Sequence, residues 1–250
     1  MLDSAIIPSK CPVYYVKEVS STNDEAIKLS KDKNMSNFWV IAESQVKGRG
    51  RMGHSWESPK GNLFATLMFN AFFNLSNISQ LSLVASLSVS EALKNFININ
   101  ENEVYLKWPN DILVNRKKIS GVLIESKKDK NSLKIIIGIG VNTVKKPNNI
   151  DSDPISLYEC SDKKISNSKF FHTLLTYMDR NIVKLKNNDF KYIRNKWLAN
   201  AIGFNKTISV KQFGKETITG IFCGLGNSGE LVIKEDNKKT TIVNGTILEF

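Results

Sequence analysis

The spacing of apolar and polar positions changes several times along this 250-residue chain, and each change predicts an element. Val13-Tyr-Tyr-Val16 reads as a short strand running into Ser20-Ser-Thr-Asn-Asp-Glu-Ala26. A hydroxyl or Asn there caps a helix carrying Ala26, Ile27 and Leu29 that frays near Lys31. Asp24 and Glu25 fall in its first turn, where the helix dipole favours negative charge. Phe38-Trp-Val-Ile-Ala42 is a strand, Lys47 to Gly53 a glycine-rich loop, and Leu63-Phe-Ala-Thr-Leu-Met-Phe69 a second strand. From Ser79 to Phe96, the positions of Leu81, Val84, Ala85, Leu87, Ala92, Leu93 and Phe96 predict a mostly buried helix. Val104-Tyr-Leu-Lys-Trp108 is a strand closed by Pro109. Asp111-Ile-Leu-Val114 and Ile119 to Ile124 then form a hairpin about the turn Asn115-Arg-Lys117. Leu133 to Val141 is apolar enough for a central strand. An amphipathic helix from Lys169 to Lys186 puts Phe170, Leu174, Tyr177, Met178 and Ile182 on one face, and Phe190 to Leu198 forms another helix.

After Gly203 the period shortens. Thr207 to Val210, Thr217 to Ile221, Gly229 to Ile233 and Thr240 to Leu248 alternate as short strands, punctuated by Gly214, Gly224, Gly226 and an Asn237 turn. The pattern predicts an α+β domain over residues 1–203 followed by a small all-β barrel over residues 204–250.

The composition, 41% hydrophobic and 24% charged, is globular, and the chain is long enough to bury a core and shape a pocket. No apolar run approaches the roughly 18–20 residues of a membrane span. The first residues lack a secretory signal's basic start and apolar stretch. Cys11, Cys160 and Cys223 are odd in number and far apart, forming neither a disulfide framework nor a CxxC pair. A cytoplasmic setting is therefore expected. The net charge of +11 invites a nucleic-acid reading, yet the basic residues are 30 lysines spread along the chain and only five arginines. Arginine is the side chain that grips phosphate or base in a planar, bidentate way. Three of the five, Arg49, Arg51 and Arg116, fall inside two short motifs, which points to a site.

Gly48-Arg-Gly-Arg-Met-Gly53 matches the GxGxxG spacing of a dinucleotide loop, but no helix opens after it and no acidic residue follows near Phe69-Asn70. Two arginines alternating with glycines offer instead planar cations on a backbone able to close over an anion. Lys107-Trp-Pro-Asn-Asp111, facing Lys117-Lys118-Ile-Ser-Gly-Val-Leu-Ile-Glu125, could hold phosphates and Mg²⁺. An ordinary strand–turn–strand with solvated lysines fits that spacing equally well. Gly138-Ile-Gly-Val-Asn142 suits either backbone access for a ligand or close sheet packing. His54 and His172 make no metal cluster, and neither a GxSxG elbow nor a Cys–His pair is visible, which disfavours a nucleophilic hydrolase.

Four blocks, Ser21-Thr-Asn23, Gln45 to Gly53 with Trp56, Lys107 to Asp111 continuing through Lys118 to Glu125, and Gly138 to Asn142, together resemble the biotin protein ligases, also called biotin–[acetyl-CoA-carboxylase] ligases. The resemblance spans about residues 13–250. It implies the mixed-sheet α+β catalytic domain of the biotin/lipoate ligases with an SH3-like β-barrel behind it. It implies ATP and biotin as substrates with Mg²⁺, biotinyl-5'-AMP and pyrophosphate as first products, and a biotin carboxyl carrier protein as acceptor. By position, it implies Ser21, Thr22, Asn23 and Gln45 at the ureido ring, and Arg49, Gly50 and Arg51 in a loop folding over biotin and its adenylate. Gly121 belongs to the biotin site, and Lys118 meets the biotin carboxylate and α-phosphate. Trp56 lies beside adenine, Lys107, Asn110 and Asp111 face phosphates and metal, with Asp111 toward Mg²⁺, and Asn142 contacts the nucleotide. Arg51, Lys118 and Lys107 carry the chemistry in this picture.

His54 stands where the family commonly has another basic residue, and Lys117 where an arginine often precedes the lysine. About a dozen residues precede Val13, too few for the helix-turn-helix domain of some members, so no specific DNA binding is expected. A homodimer is compatible with the family, and the glycine content predicts a loop that is mobile when empty. Two other readings stay open: a lipoate or octanoyl ligase, and a basic nucleic-acid binder using the barrel, where Phe213 and Phe222 are the aromatics on offer.

Overall fold

The computed structural model describes residues 6–32, 35–71, 78–128, 133–148, 153–161, 163–236 and 238–250. Strands β1 (Val13–Val19) and β2 (Phe38–Gln45) are parallel, joined by helix α1 (Thr22–Asp32), as a parallel pair requires a crossover. β3 (Leu63–Asn70), β4 (Val104–Lys107), β5 (Asp111–Val114), β6 (Lys117–Lys128) and β7 (Leu133–Val141) complete a mixed seven-stranded sheet ordered β1-β2-β3-β7-β6-β5-β4. Its central strands read as unbroken apolar runs because both faces are covered. Phe38 and Val40 turn toward Ala26 of α1, while Trp39 and Ile41 turn into the principal core.

That core is built by α2 (Ile78–Leu93), α4 (Asn167–Lys186) and α5 (Phe190–Leu198) against the sheet. α2 is buried on nearly every side, and each fully buried Leu or Val contributes roughly 1.5–3 kcal/mol. Two of its serines are paired with the other helices: Trp197 Nε1 donates to Ser86 Oγ and Asn181 Nδ2 to Ser88 Oγ, each at 3.0 Å. The helix stops at Leu93, short of the expected Phe96, where Asn95 N–H and Phe96 N–H donate three residues back and tighten the last turn. A short helix absent from the sequence reading, α3 (Leu157–Ser161), starts on a reciprocal cap in which Ser156 N–H donates to Glu159 Oε2 at 2.8 Å and Glu159 N–H to Ser156 Oγ at 3.3 Å. Among the described residues no helix is long and apolar enough to cross a membrane.

Beyond α5, β8 (Thr207–Lys211), β9 (Thr217–Leu225), β10 (Leu231–Glu235), β11 (Lys238–Ile242) and β12 (Thr246–Glu249) form an antiparallel sheet ordered β11-β10-β9-β8-β12. The expected strand from Thr240 to Leu248 is two strands, broken over residues 243–245, where Asn244-Gly245 favours a turn over a ladder. The break carries β12 to the far edge beside β8. β11 and β12 do not pair among the described residues, so the sheet is open where the sequence predicted a closed barrel. Phe222 is fully buried, its ring edge-on to Phe204 at 5.5 Å, and is therefore closed to any nucleic-acid base, whereas Phe213 is 77% exposed.

Candidate active site

Strand register places four residues in one row across the sheet: Lys107 on β4 opposite Asp111 on β5, Asp111 opposite Gly121 on β6, and Gly121 opposite Gly140 on β7. A cation and a carboxylate thus flank two positions with no side chain. The indole of Trp56 lies over those two: a Cβ on Gly140 would meet it at 2.6 Å and one on Gly121 at 3.1 Å. The glycines make a ring-sized floor. At Gly138 the reason is packing, since a Cβ would sit 2.4 Å from Asn23 Oδ1. Close packing against a side chain therefore accounts for both glycines, Trp56 at Gly140 and Asn23 at Gly138.

Over this floor opens a cavity of about 420 Å³. Ser21, Thr22, Asn23, Gln45, Arg49, Gly50, Arg51, Trp56, Lys107, Asn110, Asp111, Lys118 and Gly121 all line it, and with Gly138 and Gly140 all four sequence blocks meet there. Asn142 is the exception. It is buried past the end of β7, where its Nδ2 donates to Ile155 O and its carbonyl accepts from Leu157 N–H, and its Oδ1 has no partner.

One end of the cavity is uncharged and rich in hydrogen bonds. Gln45 Oε1 accepts from Thr22 N–H at 2.7 Å, and Gln45 Nε2 donates to Ser58 Oγ at 2.8 Å. Thr66 Oγ1 stands 2.7 Å from both Thr22 Oγ1 and Asn23 Oδ1. The other end is cationic. Lys118 Nζ lies 2.8 Å from Asp111 Oδ1 and 5.4 Å from the centroid of the Trp56 ring. Lys107 packs its ammonium 5.2 Å from the Phe250 ring centroid, and burial pulls its pKa below the ordinary lysine value, Asp111 opposing and Lys118 reinforcing the shift. Burial likewise lowers the pKa of Arg51, with Asp111 opposing. Arg51 Nη1 donates to Gly245 O at 3.3 Å and reaches Asn110 Oδ1 at 3.5 Å, with no carboxylate in ion-pair contact among the described residues.

The two loop arginines therefore differ. Arg49 is forked onto Glu125 and also meets Asp24, while Arg51 points inward with only amide and carbonyl oxygens for company. Glu125, Asp24, Ser58 and Thr66 were not among the candidates read from sequence. Glu125 ends a motif, but its partner Arg49 is 76 positions away. The C-terminal sheet also reaches the site through Gly245, Thr246 in the cavity wall, Phe250, and Gly229 O, which accepts from Trp108 Nε1 at 3.0 Å. His54 lines the cavity and closes the loop through its backbone, its carbonyl accepting from Gly50 N–H at 2.7 Å. His172 lies on the exposed side of α4. No group of three His, Cys, Asp or Glu able to hold a metal exists among the described residues.

Residues 15–142 match the biotin/lipoate A/B protein ligase family. The chain is 33% identical over 220 residues to a biotin–[acetyl-CoA-carboxylase] ligase of Paracoccus denitrificans, covering 86% of this chain and 90% of that one. It is 27% identical over 226 residues to a bifunctional ligase/repressor of Bacillus subtilis, covering 88% of this chain and 68% of the relative. Among solved structures, a biotin protein ligase from Aquifex aeolicus in complex with biotin and ATP aligns with a TM-score of 0.80 at 33% identity, over 94% of this chain and 97% of that one.

Proposed function

This chain belongs to the biotin/lipoate A/B protein ligase family, and from that premise we propose that it is a biotin protein ligase. It activates biotin with ATP to biotinyl-5'-AMP and pyrophosphate, then transfers biotin to a lysine of a carboxylase's biotin carboxyl carrier domain. The observation that carries this reading is the two-ended cavity, hydrogen-bonding and uncharged at Gln45, Thr22 and Asn23, cationic at Arg51, Lys107 and Lys118. A ureido ring with a carboxylate tail has that same polarity.

In the first half-reaction a carboxylate oxygen of biotin attacks the α-phosphorus, and the bond to pyrophosphate breaks. Two anions must meet, so Lys118 is assigned to the carboxylate and α-phosphate, and Arg51 and Lys107 to the phosphates whose charge grows. Trp56 on its glycine floor is assigned to the adenine side, and Asn110 holds Arg51. Asn142, buried outside the cavity with its Nδ2 on Ile155 O, is assigned no nucleotide contact. Mg²⁺ would come with the phosphates and neutralise them. A single carboxylate, Asp111, with Oδ1 already held by Lys118, fits an ion whose other ligands are phosphate oxygens and water. In the second half-reaction the acceptor amine attacks the anhydride carbonyl, the amide C–N bond forms, AMP departs, and the amine loses its proton. No covalent enzyme nucleophile is needed.

We read residues 1–203 as the ligase unit and residues 204–250 as an SH3-like unit whose last turn and strand close one wall of the site. A lipoate ligase fits less well, because a dithiolane cannot pair with the amide and hydroxyl groups at the uncharged end, and a site built to hydrogen-bond rejects a ligand that cannot. The deciding experiment supplies ATP, Mg²⁺, biotin and an isolated biotin carboxyl carrier domain, with mass spectrometry of the acceptor. A single biotin on one lysine, undiminished by excess lipoate, supports the reading. Suppression by lipoate, or a lipoyl adduct in its place, overturns it.

A further inference from the structure

Glu125, in the last third of β6, connects several parts of this site. Its Oε1 accepts from Arg49 Nη1 at 2.9 Å, and its Oε2 accepts from Arg49 Nη2 at 3.0 Å and from Asn23 Nδ2 at 2.7 Å. Arg49 Nη2 also donates to Asp24 Oδ1 at 2.7 Å. One carboxylate thereby ties the glycine loop to the start of α1 and, through Asn23, Thr66 and Thr22, to Gln45 at the uncharged end of the cavity.

Charge accounting separates the two loop arginines further. One guanidinium faces two carboxylates in the Arg49 cluster, so Arg49 is not on offer to a phosphate, whereas Arg51 is. The pair is also reversible. The side chains of Arg49 and Glu125 are 41% and 27% exposed, so solvent weakens the pair, although the forked geometry strengthens it. A contact of that strength holds a loop shut without preventing release.

We propose that Glu125 is a positioning residue that latches the glycine loop through Arg49, keeping Arg51 turned into the cavity, and that opening of this latch sets how fast the activated intermediate escapes. The second clause rests on the adenylation reading above; the first does not.

The test uses Glu125→Gln, which preserves shape and the contact with Asn23 while removing charge, and Arg49→Lys, which preserves charge while removing the fork. Full-length protein is loaded with labelled biotin and ATP in the presence of pyrophosphatase, stripped of free ligand, and followed for loss of bound label. Each variant is expected to release label about tenfold faster, equivalent to about 1.4 kcal/mol. The double variant should release it no faster than either single, because both changes remove one contact. Trypsin cleavage after Arg51 in the unliganded protein reads the latch without any adenylation, and should quicken in both variants. Unchanged cleavage and release in both single variants, or effects that multiply in the double, would overturn the latch. A wild-type protein that captures no label but is cleaved faster when Glu125 is changed keeps the latch and sinks the adenylation reading instead. If Glu125→Gln does not fold, the half-exposed Arg49→Lys variant decides the matter alone.

Discussion

Lys118 Nζ and Asp111 Oδ1 stand 2.8 Å apart on adjacent strands, and both side chains are about three-quarters covered, at 24% and 23% exposed. Truncating Lys118 therefore does two things at once. It removes a cation assigned to the reacting carboxylate, and it takes from Asp111 its ion-pair partner, leaving only Lys107 and Arg51 to offset that charge. Lys118→Ala should lower kcat/KM for adenylation by roughly 10²–10³-fold, the scale on which a preorganised electrostatic group acts. Adding Asp111→Asn should deepen the loss in ATP affinity when Mg²⁺ is present, because the same carboxylate is assigned to the ion. Steady-state kinetics of the single and double variants measure both effects.

The lowered pKa of Lys107 has a definite sign. The native protein holds this proton less tightly than the unfolded chain, so the charged lysine weighs against folding at neutral pH, and that penalty fades as pH rises through its lowered value toward the ordinary one. Phosphate binding needs the proton. ATP affinity should accordingly decline at a more acidic pH than an ordinary lysine, at about 10.4, would dictate. Lys107→Arg should retain affinity over the same range, as measured by ATP titrations between neutral and strongly alkaline pH.

Gly140→Ala tests the glycine floor. A Cβ 2.6 Å from the Trp56 indole forces the ring off the sheet, because real Cβ contacts do not come that close. The other three tryptophans, Trp39, Trp108 and Trp197, are buried, so a red shift in fluorescence upon substitution reports Trp56 moving into water. Nucleotide affinity should fall with it, and Trp56→Phe in the same background should abolish the spectral change.

Phe250 holds Lys107 and Arg116 against one ring, at 5.2 Å and 5.7 Å. A half-exposed cation–π contact is worth about 0.5–1 kcal/mol, so Phe250→Leu should raise the KM for ATP roughly two- to fivefold. Phe250→Tyr should not, and the KM for biotin should stay put in both. A change confined to biotin would contradict the placement of Lys107 at the phosphates.

Much of the fold is legible from local pattern. Buried strands such as Phe38–Ala42 and the all-round apolar α2 announce themselves, because burial on both faces leaves unbroken hydrophobic runs. Ser156-x-x-Glu159 carried a readable capping signal for α3 that was too short to stand out. The break over residues 243–245 was masked by alternation on either side, although Asn244-Gly245 is a turn signal. The site is less legible. The row from Lys107 to Gly140 exists only through strand register, and Arg49 and Arg51 look equivalent until Glu125, far along the chain, claims one of them. Asn142 ends a motif as clearly as any residue, yet its side chain fastens the segment around Ile155 and does not line the cavity.

The most direct test of the central claim is exchange of labelled pyrophosphate into ATP, with and without biotin, by the wild-type protein and by Arg51→Ala and Lys118→Ala. Exchange that requires biotin and falls at least about a hundredfold in both variants is the predicted result. Wild-type exchange that is absent, indifferent to biotin, or untouched by either substitution would contradict it.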